Sequence, residues 1–303
     1  MLLTCEKPPM FEFAALFLLF YVYHMLGITV GYHRLLAHRS FDCPKWVEYF
    51  FVMGGYLGFQ SSPIWWATIH RGHHRFNDTE LDPHSPRYGV WNSFIGWAFK
   101  DSYTDLINPA HQSKDLTADK LYMFLEQGGD WRRMHLLNSF IGFSSRLLLL
   151  ALFGWQVALA SVTAGLAAQQ MPFLLNFICH VPALGYRNFQ SSDDSINCWW
   201  VAILTTGEGW HNNHHHTPGS AKSGLKWFEI DPAYLVIKTL SKLGLVTRMN
   251  VHVDKAAVAR KKALNVAAAK PMPKHVSVPK LVLEAQPIVV ENKMADKQLL
   301  AAK

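Results

Sequence analysis

Three histidine clusters hold most of the chemistry this sequence can perform. The stretch Ile69-His70-Arg71-Gly72-His73-His74-Arg75 carries three imidazoles. In a helix each residue turns about 100°, so His70, His73 and His74 fall within roughly 100° of one face. Converging neutral imidazoles suit iron, zinc, copper or nickel. Alone, such a cluster reads equally well as a solvated, basic helix end. It is not alone: His211-Asn212-Asn213-His214-His215 repeats the spacing, and His33-Arg34-Leu35-Leu36-Ala37-His38 adds a further pair. All three sit beside long apolar runs, which points to a metal centre at a membrane surface.

A fourth feature is Asn176-Phe177-Ile178-Cys179-His180, whose Asn176 and His180 are i and i+4 on one helix face. The candidate ligands are then His33, His38, His70, His73, His74, His180, His211, His214 and His215. One metal takes about four to six ligands, so this count suits two ions. Few carboxylates lie in the clusters, which disfavours magnesium or calcium. Hydrolytic zinc would want a carboxylate base, as in His-Glu-x-x-His, and the clusters have none. Glu208, three residues before His211, reads as a group that orients an imidazole. Redox-active iron is the natural choice where the substrate is lipid.

The elements that must position these residues are apolar. The chain has 303 residues, 50% of them hydrophobic, with eleven tryptophans and a net charge of +7. Long apolar runs favour a membrane over nucleic acid as the partner of that charge. The four cysteines show no Cys-x-x-Cys spacing and read as small core residues. Residues 10–32 form a run long enough to cross a bilayer core, without a cleavage site, so an anchor is expected. His24 lies inside it and reads as facing protein. Residues 46–60 are too short for a crossing and suit an interfacial helix. Parity agrees, because a crossing there would put the flanking histidines on opposite sides. Residues 77–86 read as a loop, 90–99 as an aromatic headgroup-level segment, and 100–133 as soluble in character. A hairpin follows, with spans over 140–153 and 155–178 and a turn at Gly154. Arg34, Arg39, Arg71, Arg75, Arg132, Arg133 and Arg187 cluster at the histidine ends, which makes those ends cytoplasmic. An amphipathic helix is expected from Asp231 to Leu245, lying on the interface. The membrane region is bounded at 1–250, and 251–303 reads as a disordered Ala/Lys/Pro tail.

The boxes His-x4-His, His-x2-His-His and His-x2-His-His, with Asn-x3-His, resemble the membrane fatty-acyl Δ9 desaturases, the stearoyl-CoA desaturase-like family. GITVGYHRLLAHRSF, HRGHHRFNDTELDPHSP, GYRNF and GEGWHNNHH are similar to family segments, over about residues 25–247. The resemblance implies an all-α integral membrane protein with a cytosolic helical cap over the transmembrane helices. It implies two iron ions (Fe2+/Fe3+) held by the nine histidines, with Asn176 reaching a metal through water. It implies O2-dependent removal of two hydrogens from a long acyl chain, giving a cis double bond, usually between carbons 9 and 10. It places Gln60 and Trp66 at the bend of a substrate tunnel and Phe173 along its wall. Acyl-CoA is the expected carrier, with acyl-ACP and lipid-bound chains left open, and electrons come from a separate ferredoxin- or cytochrome-type donor with its reductase. The expected location is a bacterial inner membrane, or the ER in a eukaryote.

Three features depart from the family pattern. Only three spans are visible where four are usual, which would put the N-terminus outside. Lys100-Asp101 stands where animal members carry a basic pair for the CoA phosphates, and His216 extends the last box. Two rivals remain: a di-iron hydroxylase or alkane oxygenase, which would yield an alcohol, and a non-catalytic membrane metal-binding protein, which would need no tunnel.

Overall fold

The computed structural model describes residues 9–99 and 103–252. Lys100-Asp101 and the expected tail from Val253 onward lie outside the described residues. Among those described, the elements are helical apart from one two-stranded ladder. They are α1 (Pro9–Leu26), a π-helical continuation π1 (Gly27–Ala37), β1 (Phe41–Asp42), α2 (Lys45–Leu57), α3 (Pro63–Phe76), α4 (Val90–Phe94), α5 (Pro109–Gln112) and α6 (Lys120–Glu126). They continue as α7 (Trp131–Phe153), α8 (Trp155–Ile178), α9 (Trp199–Leu204), α10 (His211–His216), α11 (Pro232–Lys242) and β2 (Arg248–Met249).

Among the described residues, three helices are long and apolar enough to cross a membrane: Met10–Ala37, Trp131–Phe153 and Trp155–Ile178. The all-α membrane architecture therefore matches the sequence. Two boundaries need correction. The first helix runs on to Ala37, because its winding changes at Gly27 instead of ending. The second starts at Trp131, nine residues before the apolar run, because the Asp130 side chain caps it by accepting from Arg133 N–H. A helix terminus is set by its cap, not by where hydrophobicity begins. Gly154, at φ +86°, makes the turn into α8, a conformation that favours glycine.

The 13-residue α2 is too short to cross, as expected. Its Val47, Phe51, Val52 and Tyr56 are buried, while Trp46 and Phe50 stay exposed. The helix lies hard against the first span. A Cβ on Gly27 would sit 2.1 Å from Gly55 N, so the glycines set the closeness of this crossing. In α3, Pro63 occupies the first turn and Ser62 Oγ accepts from the N–H groups of Ile64 and Trp65, a strong N-terminal signal. Asp231 caps α11 through Tyr234 N–H. That helix ends at Lys242, short of the expected Leu245. The β1–β2 ladder pairs Phe41 with Met249 and so ties the end of the described fold to the exit of the first span.

Candidate metal centre

The residues predicted as ligands come together in two adjacent groups. His33, His38, His70, His74 and His214 form one, and His73, His180, His211 and His215 the other. Within each group the nearest ring nitrogens lie within 4.8 Å of one another. The groups touch: the His74 and His215 ring centroids are 4.6 Å apart. On α3, His70 and His74 serve the first group and His73 the second. On α10 the division is reversed, with His211 and His215 in the second and His214 in the first.

The first box depends on the π winding. His33 and His38 are five residues apart, about 140° round an α-helix. In π1 the i→i+5 bond stacks them instead: His38 N–H donates to His33 O at 3.0 Å, and the rings lie 4.7 Å apart. His180 lies just past the end of α8, after its C-cap Cys179. It packs against His211 at 5.0 Å between centroids.

Carboxylates contact the far nitrogens of four rings. His33 Nδ1 lies 2.7 Å from Glu208 Oε2, and His73 Nδ1 lies 2.9 Å from Asp82 Oδ1. His180 Nδ1 lies 3.5 Å from Asp78 Oδ2. His215 Nδ1 sits between Asp193 Oδ2 at 3.2 Å and the Asn77 amide at 2.8 Å. At His33, His73 and His180 the acids favour the proton on Nδ1 and so turn the Nε2 lone pairs inward, whereas the Asn77 atom facing His215 Nδ1 is the donor Nδ2. Glu208 also accepts from Arg34 Nε at 3.1 Å, while Arg34 Nη1 donates to Asp231 Oδ2 at 3.1 Å. A fully buried arginine thus joins the first and third boxes.

The inward nitrogens are close. Nε2 pairs are 3.1 Å apart for His33–His214, 2.9 Å for His38–His70, 3.0 Å for His74–His214 and 3.1 Å for His180–His211. Metal–nitrogen bonds of about 2.1 Å at right angles place neighbouring ligands about 3.0 Å apart. His73 Nε2 and His215 Nε2 are buried without a hydrogen-bond partner. The donor set therefore fits metal ions.

Electrostatics agree. Burial, then repulsion from neighbouring imidazoles, holds His38, His70, His74, His211 and His214 well below the ordinary histidine value. Burial lowers His215 to about 4, against the hydrogen bond to Asp193. His73 goes the other way: burial lowers it, but the Asp82 carboxylate outweighs that and raises it. Burial also pushes Glu208 up, yet His33 and Arg34 hold its carboxyl below the usual range.

Asn176 lines a cavity of about 40 Å³ together with His33, His70 and His211. Gln60, Trp66 and Phe173 line a second cavity, of about 280 Å³. Trp66 and Pro172 belong to both, so the two cavities adjoin beneath the imidazoles. Trp66 Nε1–H donates to Gln60 Oε1 at 3.2 Å. His216 stays out of both groups and stacks on Phe189 at 3.8 Å. His24 is buried and bonded to Gly54 O and to Arg146, so it faces protein.

Sequence reasoning missed His84, which with His73 and Asp82 forms a further close group. It also missed the acids Asp78, Asp82 and Asp193. The signal was an acid-rich loop directly after the central box and Asp193-Asp194 before the last one.

Comparison with known proteins adds three findings. The fatty acid desaturase family model matches residues 10–249. An sn-1 stearoyl-lipid 9-desaturase of Anabaena variabilis is 40% identical over 248 residues, covering 80% of this chain and 87% of that protein. A protein of the same name from Synechocystis sp. is 41% identical over 233 residues (76% and 69%), and an acyl-CoA 5-desaturase of Anemone leveillei is 38% identical over 259 residues (82% and 76%).

Proposed function

The chain belongs to the fatty acid desaturase family, and on that premise we propose that it is an O2-dependent acyl desaturase. It holds two irons and forms a cis double bond between carbons 9 and 10 of a long chain. One observation carries the metal part of this reading: the Nε2 atoms of His33, His214, His74, His70 and His38 crowd together in a linked series at 2.9–3.2 Å, the spacing of neighbouring ligands around a metal ion. His33, His38, His70, His74 and His214 would hold one ion and His73, His180, His211 and His215 the other, with Asn176 linked through water. Bound iron supplies the O2 activation needed to break an unactivated methylene C–H, which acid–base chemistry at neutral pH does not achieve. In balance, the acyl chain loses two hydrogens and O2 takes up these, two electrons and two protons to give two waters. The electrons come from a separate donor protein.

The residues of the chain position and exclude. Trp66, stacked on His70 at 4.9 Å, and Phe173, 5.8 Å from Trp97, keep the path apolar. A chain confined in this way presents one carbon pair to the imidazoles. Arg34, Arg39, Arg71 and Arg75 at the histidine end support a cytoplasmic site.

For the carrier, the geometry favours a glycerolipid over acyl-CoA. A third cavity, of about 410 Å³, shares Trp65 and Trp97 with the second, and Glu80, Asp82 and Asp105 line it without a Lys or Arg among the described residues. Carboxylates repel a polyphosphate carrier. The Anabaena and Synechocystis relatives are named for lipid-bound substrates, which supports the same choice.

The test is expression in a host lacking unsaturation, with the double-bond position and lipid class of the products determined. New Δ9 chains appearing first in glycerolipid, only in air, are expected. An alcohol would make the protein a hydroxylase, and identical lipid profiles with and without O2 would leave only a metal-binding protein.

A further inference from the structure

Arg146 is buried inside a candidate membrane span, and no carboxylate pairs with it among the described residues. A cation in that setting is costly. Its Nη donors go to neutral acceptors, Nη1 to Gly142 O at 3.0 Å and Ser145 Oγ at 3.1 Å and Nη2 to Leu57 O at 2.7 Å, while Nε is buried without a hydrogen-bond partner. Nη2 also lies 3.3 Å from His24 Nε2. His24 Nδ1–H donates to Gly54 O at 2.8 Å, which leaves Nε2 free to accept. The guanidinium stands 5.0 Å over the Phe59 ring, a cation–π contact.

These contacts converge on one bend. Leu57 closes α2, and the five residues that follow lead to α3 with Phe59 at φ +59° and Ser61 at φ +63°. Two non-glycine residues in the left-handed region within three positions need outside support. Two other side chains supply it from the spans. Asn138 Nδ2 donates to Tyr56 O at 2.7 Å and its Oδ1 accepts from Ser61 N–H at 3.2 Å. Gln169 Nε2 donates to Phe59 O at 3.2 Å. A slot for the Phe59 ring and the guanidinium exists only because two helix residues lack a side chain. A Cβ on Gly142 would lie 2.6 Å from Phe59 Cε1, and one on Gly165 would lie 2.9 Å from Arg146 Nη2. The bend in turn carries Gln60, which accepts from Trp66 at the meeting point of the two cavities.

We propose that Arg146, with Asn138 and Gln169, positions this bend and thereby sets which carbon pair of the acyl chain lies beneath the imidazoles. Arg146 lines neither cavity; it acts through Phe59 and Gln60, which line the second. The inference rests on the desaturase reading, and its test separates the two. Wild type, Arg146→Met, Arg146→Lys, Asn138→Ala and Gln169→Ala are expressed in the unsaturation-deficient host, and double-bond positions are mapped by mass spectrometry of derivatised chains. Wild type without any unsaturated product refutes the desaturase reading. Given wild-type product, Arg146→Met should raise the fraction of misplaced double bonds at least about fivefold, since small misplacements at a reacting carbon have large effects. Arg146→Lys, which keeps the charge, should be intermediate, and the two neutral variants should shift the ratio in the same direction. Lower yields with an unchanged isomer ratio in every variant that accumulates would overturn the proposal. Asn138→Ala and Gln169→Ala decide the matter if Arg146→Met does not accumulate.

Discussion

Glu208 shows how much of the site depends on one proton. Its Oε1 faces Arg34 and its Oε2 faces His33 Nδ1. In Glu208→Gln the amide oxygen must stay toward the arginine, so the NH2 faces Nδ1 and drives the imidazole proton to Nε2. That removes a lone pair from the first group. A loss of iron affinity of about 10–100-fold is expected, as for other partners that orient a ligating imidazole. A chelator-competition titration measures it, and unchanged affinity would contradict the role. Acid should act on the metal-free protein at the second group. His215 has an ordinary value of 6.5 but is held at about 4 by burial. Between those values the unfolded chain binds more protons, so stability falls as pH drops from 6.5 toward 4, by up to about 1.4 kcal/mol per pH unit for each such group. Melting of the iron-stripped protein in detergent should show that decline, and bound iron should raise the transition without flattening it. At this scale the histidines were legible because ligand spacing is a local pattern. Asp78, Asp82 and Asp193 were not, because which acid meets which imidazole depends on how two loops fold over the clusters.

The element that departs furthest from its sequence is π1. On an α-helix His33 and His38 point well apart, and nothing in GITVGYHRLLA announces a π-helix. Its winding goes with glycine contacts that only the packed pair of helices reveals. Gly27 meets Gly54 and Gly55, while a Cβ on Gly55 would lie 2.6 Å from Tyr32 Cδ2. Gly27→Ala forces this crossing apart at the level of the first box. A loss of about 1–3 kcal/mol is expected, as for other overpacked sites. Thermal unfolding in detergent checks the figure, and an unshifted transition would mean that the crossing is looser than described. The spans were legible as apolar runs, and α8 was read with its bounds correct at 155–178. The start of α7 was not, because the polar turn Trp131–Asn138 looks soluble until Asp130 is recognised as its cap. Arg146 also escaped notice, since its acceptors include a backbone carbonyl of another element.

At the scale of the whole molecule, the two histidine groups draw on π1, α3, the end of α8 and α10, which lie far apart in the chain. The three spans and the arginines beside the imidazoles support one orientation, with the Gly154 turn on the far side. A cysteine placed at Gly154, in a chain whose own cysteines are replaced by serine, should react with a membrane-impermeant maleimide added from outside intact cells. Protection there, with labelling only after lysis, would reverse the orientation. The family was legible from the boxes alone, whereas the carrier was not, because the acids that line the third cavity come from separate loops. The central claim is that nine imidazoles hold two irons, and the direct measurement is the metal content and Mössbauer spectrum of the protein purified anaerobically. The account predicts two irons per active chain, with His214→Ala and His211→Ala each depleting a different spectral component and abolishing the double bond. Full desaturation by a protein containing one iron, or none, would contradict it.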